Sequence, residues 1–180
     1  MADADWGDEV RVLAKALDQA GDVLDQVHPD ALSQPTPCGD WDVAALADHL
    51  IAAPGRFLTM MRGGQPDWAA PPAHVAEGWG PAFRVAGDDL IHAWHEGVAA
   101  APASADWQTA EIAVHTWDLA TAIGVPVDRL EPEVAARGLA FLRAHLTADN
   151  RAPAFGPEQS TPDDAGPYQQ LASFAGRQVR

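Results

Sequence analysis

The sequence is short of several things at once, and each shortage excludes something. It has one cysteine, so no intrachain disulfide can form, which suits a reducing compartment. No apolar run approaches the roughly 18 residues that a membrane-spanning helix requires. Basic residues are few: 11 Lys and Arg stand against 26 Asp and Glu, for a formal net charge of −15. Nucleic acid and anionic membrane surfaces repel such a chain, and no basic patch overrides that. The opening MADADWGDEV is acidic, where a secretory leader is basic and then apolar. These absences predict a cytoplasmic protein with neither a membrane nor a nucleic-acid partner. Strand signals are weak, and there is no internal repeat.

What is present is helical. With 180 residues, 47% hydrophobic and 21% charged, the chain has an ordinary globular composition and enough length for a real core. Val10, Leu13, Leu17, Leu24 and Val27 recur at helical spacing and predict a first helix over about 5–27. SQPTPCGD is turn chemistry, ending at two candidate N-caps, Asp40 and Asp42. A second helix follows from Asp42 to about Arg62; Pro54-Gly55 inside it should kink or interrupt it. Residues 63–79 read as a Gly/Pro-rich loop. A third helix is expected over about 81–99, and a fourth ends at Gly124 before Pro126. A fifth starts near Pro132, and a Pro/Gly-rich crossing then leads to a short helix, YQQLASFAG. The expected fold is all-α, an up-and-down four-helix bundle with additional short helices. One domain over 1–180 is expected, with the bundle over about 5–148 and a C-terminal extension over 149–180.

The fourth helix carries the anomaly. In TAEIAVHTWDLATA, Glu111, His115 and Asp118 fall within roughly 60° of one another at about 100° per residue. Core-type residues flank this narrow line: Ile112, Leu119 and Ile123 on one side, Val114 and Trp117 on the other. Burying a carboxylate costs several kcal/mol unless it is paired or bound to a cation. Glu and His at i and i+4 lie one turn apart on one face and can grip a single metal ion. The same spacing also arises as a plain surface pair. His49 on the second helix is a candidate third ligand, or else a histidine packed in the core; packed helices can bring it against Glu111 and His115. Two imidazoles and one carboxylate with open positions form a catalytic type of site.

Other candidates weigh less. His92, His95 and Glu96 of HAWHE lie opposite Phe83, Leu90 and Trp94, where a solvated face belongs. His28, His74 and His145 have no neighbours at ligand spacing. Cys38 precedes His49 by about 16 Å of helix-equivalent length. Only a folded-back loop brings it to the stripe, and no basic neighbour adjoins it to activate it. It reads as a packed loop residue.

TPCGDWDVAALADHL, with EIAVHTWDLATAIG far downstream, resembles the DinB-like metal-binding superfamily. The similarity is to its actinobacterial branch, related to mycothiol-dependent maleylpyruvate isomerase and mycothiol S-transferases. The ending FGPEQSTPDDAGPYQQLASFAGR is similar to that branch's tail. The resemblance implies a divalent metal on His49, Glu111 and His115. It also implies that Asp118 accepts a ligand histidine's ring N–H or orients a bound molecule, although a capping or tertiary hydrogen bond would equally explain that residue. Zinc is the first expectation, with nickel and ferrous iron compatible. The implied chemistry is a metal-activated thiol, with mycothiol the thiol implied, used for S-transfer to a small electrophile or for thiol-assisted isomerisation. Arg56 would bind a substrate carboxylate if it faces the same cavity, and is a plain surface residue otherwise. A metal-dependent hydrolase and a non-catalytic, dimerising metal-binding bundle are the rival expectations. Two departures from the family bear on the pocket: a compact HEGVAAAPASADW connection, and Pro54-Gly55 after His49.

Overall fold

The structure is a computed structural model, and it describes residues 7–39, 41–98, 103–152 and 154–179. Six helices account for its regular structure: α1 (Asp8–Leu24), α2 (Val43–Met61), α3 (Trp79–His95), α4 (Ala105–Ile123), α5 (Pro132–His145) and α6 (Pro167–Phe174). Short 3₁₀ turns at Pro29–Ala31 and Val127–Arg129 join them, and no strand occurs among the described residues. No helix there is long and apolar enough to cross a membrane.

Local capping chemistry bounds α2 and α4. Asp42 caps α2, its carboxylate accepting from the Ala45 amide at 2.9 Å. Asp40, the other candidate cap, lies outside the described residues. Ser104 caps α4 in the same way through the Trp107 amide. Gly124 stops that helix in the left-handed region, at φ 75°, where a side chain would be strained. The first helix is shorter than its periodicity suggested, starting at Asp8 and ending at Leu24; the chain then turns toward Pro29. Residues 5 and 6 of the expected span lie outside the described residues, as does residue 99 at the far end of the third helix.

The interruption expected at Pro54 does not occur. Helix α2 runs uninterrupted through it from Val43 to Met61. A proline removes one backbone bond, whereas Leu46, Leu50, Ala53 and Phe57 are all fully buried on either side of it. That packing holds the helix together, and Gly55 merely faces solvent.

Packing places α4 at the centre. The first four helices close a ring of contacts, α1 on α3, α3 on α2, α2 on α4 and α4 on α1. Helix α5 then covers α4 and α1, and α6 packs on α5 and α4. Every residue from Ile112 to Ala120 is therefore buried, which explains a sequence apolar almost all round. A polar line on such a helix must find its partners inside the protein. Adjacency of α2 and α4 is the feature that sets up the site.

Candidate metal centre

His49 sits in the second turn of α2 and faces Glu111 and His115 on α4. Its Nε2 lies 2.8 Å from Glu111 Oε1, and His115 Nε2 lies 3.4 Å from the same oxygen. The two imidazoles meet edge to face with centroids 4.8 Å apart. Both histidines are buried, at 7% and 8% exposure. One donor atom from each of the three residues lies within 4.8 Å of the others, a spacing that one metal ion can bridge. Trp41 packs on both rings, at 4.6 Å from His49 and 5.8 Å from His115. Trp68, from the loop after α2, approaches His49 at 6.4 Å.

Behind this cluster lies a second layer. His115 Nδ1 is 3.2 Å from Asp118 Oδ2, so its ring N–H has an acceptor on the side away from Glu111. Asp118 is fully buried and also accepts from Arg177, from Nε at 3.1 Å and Nη2 at 2.8 Å. Arg177 comes from the tail beyond α6 and is itself buried. Its Nη1 donates to Ala175 O, and its Nη2 lies 3.4 Å from Cys38 Sγ.

The charges follow from these contacts. Burial by itself would raise the Glu111 carboxyl, but the charge and hydrogen bond of His115, with the hydrogen bond from His49, hold it well below the usual carboxylate range. Burial opposes a proton on His115, yet the Glu111 charge and the hydrogen bonds with Asp118, Cys38 and Glu111 raise it well above an ordinary histidine. For His49 burial prevails over the Glu111 hydrogen bond and lowers it. Burial would also raise Asp118, but hydrogen bonds from His115 and Arg177 hold it low.

Cys38, His115 and Asp118 form a second group with ligand spacing. Their cation is already in place, because the Arg177 guanidinium sits between Cys38 and Asp118. Among the described residues, the His49, Glu111 and His115 group is the other one with ligand spacing, and no arginine or lysine pairs with it. Cys38 itself corrects the expectation of a remote residue without a basic neighbour. The loop folds back: Thr36 N and Oγ1 both donate to Trp41 O, and Cys38 N donates to Thr36 Oγ1. That turn carries the thiol to α4, and Arg177 arrives from the opposite end of the chain.

Arg56 is no plain surface residue. Its Nη2 donates to Ala70 O at 2.7 Å, and its guanidinium lies 5.4 Å from the Trp68 ring centroid. Its Nη1 is buried without a protein partner. His92, His95 and Glu96 are exposed, as the helical phase predicted. His74, given no role from sequence, bonds Asp48 at 2.9 Å, and Asp48 also accepts from the Val75 amide. These contacts fasten the Trp68 loop to α2. Arg177 was missed altogether. The available signal was a buried aspartate needing a cation, in a tail whose short helix is followed at once by an arginine.

The family described as mycothiol maleylpyruvate isomerase N-terminal domain matches residues 13–120. That span contains His49, Glu111, His115 and Asp118 but stops before Arg177. Two uncharacterized proteins of Mycobacterium tuberculosis, from strains CDC 1551 / Oshkosh and ATCC 25618 / H37Rv, are each 31% identical over 185 residues. Each alignment covers 92% of this chain and 96% of the relative. No solved structure matches significantly.

Proposed function

This chain belongs to the mycothiol maleylpyruvate isomerase N-terminal domain family, and from that premise we propose that it is a divalent-metal-dependent enzyme acting through a low-molecular-weight thiol, mycothiol. Its reaction is S-transfer to a small electrophile, or isomerisation by reversible addition of the thiol to a conjugated double bond. One observation carries the reading: His49 and His115, from different helices, direct Nε2 atoms at the same oxygen of Glu111. The donor set fits a divalent ion, since two imidazoles and one carboxylate suit zinc first, and nickel or ferrous iron as well.

His49, Glu111 and His115 are the residues that would hold the metal. When bound, a divalent ion supplies Lewis acidity that favours thiolate over thiol at neutral pH. The remaining work belongs to the chain. Asp118 accepts a hydrogen bond from the His115 Nδ1–H, which fixes the ring with Nε2 toward Glu111. Trp41 and Trp68 lie against the imidazoles and limit water at the reacting sulfur. Arg56 offers the unpartnered Nη1 to a substrate carboxylate. In transfer, the sulfur forms a bond to the electrophilic carbon as the leaving group departs with its electron pair. In isomerisation, sulfur adds to one alkene carbon, the former double bond rotates, and the sulfur is expelled unchanged.

The test is elemental analysis of the purified protein beside His115→Ala, followed by assay with thiol and electrophile. About one equivalent of divalent metal, lost in the variant, with turnover that stops when the thiol is withheld, is the expected result. Metal-dependent turnover without thiol would make it a hydrolase. Metal without turnover would make it a binding module. A folded protein that takes up no supplied zinc or nickel would overturn the metal reading itself.

A further inference from the structure

We propose that Arg177, which lies beyond the family-matched segment, is a positioning residue of the metal centre, acting on His115 through Asp118. The inference rests on the metal reading above. The charged groups themselves supply the first argument. Arg177 is 5% exposed and Asp118 fully buried. Burying such a pair is costly unless its geometry is good, and apolar replacements often serve stability as well or better. Here the fork is engaged at both ends, Nε on Oδ1 and Nη2 on Oδ2. That leaves the Oδ2 edge of the carboxylate at 3.2 Å from His115 Nδ1. A carboxylate free to rotate would not fix the imidazole; one clamped by a guanidinium does.

The tail is shaped to deliver this side chain. Gly176 sits at φ 90°, and a Cβ there would strike the Gly156 backbone at 2.7 Å. The crossing and the tail therefore meet backbone to backbone immediately before Arg177. Phe155 lies over the guanidinium at 5.8 Å, and Arg151 Nη1 ties Gly156 O to Phe174 O. The C-terminal crossing thus completes the second layer of the centre and is more than a packing accessory.

The experiment measures zinc affinity by competition with a chromophoric chelator, for wild type, Arg177→Gln, Asp118→Asn and the double variant. Metal-free thermal stability and the visible spectrum of the cobalt-loaded protein are recorded in parallel. Loss of a residue that orients a ligand histidine typically weakens metal binding by about 10–100-fold. Arg177→Gln is expected to show that loss and an altered cobalt spectrum, and to cost nothing further in the Asp118→Asn background. Wild-type affinity in a folded Arg177→Gln, or an undiminished loss in the Asp118→Asn background, overturns the proposal and leaves the metal reading intact. If Arg177→Gln fails to fold, Arg177→Lys decides: it keeps the charge but not the fork, and zinc affinity equal to wild type overturns the proposal. A wild type that takes up neither zinc nor nickel removes the metal reading, and this inference with it.

Discussion

His49 and Glu111 stand 62 residues apart in sequence and meet at 2.8 Å, joining α2 to α4. Both histidines approach the same oxygen of Glu111, His49 at 2.8 Å and His115 at 3.4 Å, so it is the hinge of the arrangement. Glu111→Gln keeps the shape and deletes the charge. Metal content after zinc loading and desalting is expected to fall from about one equivalent to near zero, since a neutral amide is a poor ligand for zinc. Retention of a full equivalent would place the ion elsewhere.

Metal should also stabilise the fold. A ligand that binds only the native state adds about 4 kcal/mol at 1,000 times its dissociation constant. Zinc is therefore expected to raise the melting temperature of the wild type by several degrees, a chelator to reverse the rise, and His49→Ala to abolish it. A zinc-induced rise persisting in His49→Ala would mean that the ion binds outside the centre.

Most of this side-chain cluster is legible in the sequence because helical periodicity is a local rule. Glu111, His115 and Asp118 align by residue spacing alone, and the apolar flanks of α4 reveal that the line is buried. His49 required knowing that α2 and α4 are neighbours, which spacing does not supply; the choice of that histidine rested on its polarity within an apolar face. Cys38 and Arg177 were not legible. Their positions depend on a folded-back turn at Thr36–Trp41 and on a tail that crosses the bundle, both set by tertiary packing. Pro54 shows the converse, a local signal for interruption that is not realised where its neighbours Leu50, Ala53 and Phe57 are buried.

Acid should weaken the joint between α1 and α5. Glu133 receives Arg11 and Lys15, and hydrogen bonds from Arg11 first and Lys15 second hold its carboxyl down at about 2, against 4.5 in the free group. A depressed carboxyl contributes stability that is fully present above about 4.5 and is lost as pH falls toward about 2. The groups are exposed, so the contribution is small and screened by salt. The stability difference between wild type and Glu133→Gln is expected to shrink across that window at low ionic strength. A difference that is the same at both ends would show that the pair does not stabilise the fold.

The docking of α6 can be tested apart from the metal. Tyr168 is buried and its hydroxyl accepts from Gln19 Nε2 on α1, while Gln19 Oε1 accepts from the Glu131 amide at the start of α5. Gln19 therefore bridges three elements, and Gln19 and Tyr168 are both buried. Tyr168→Phe keeps the ring and its apolar burial but leaves one Gln19 N–H without its acceptor. Such an orphaned donor costs about 1–3 kcal/mol, measurable as a lower urea midpoint with an unchanged slope. Zinc uptake should be unaffected, because the bridge lies on α1, α5 and α6 and touches none of the three ligand residues. A loss of zinc together with stability would instead mean that α6 and the tail carrying Arg177 undock as one unit, making the bridge part of what holds Asp118 in place.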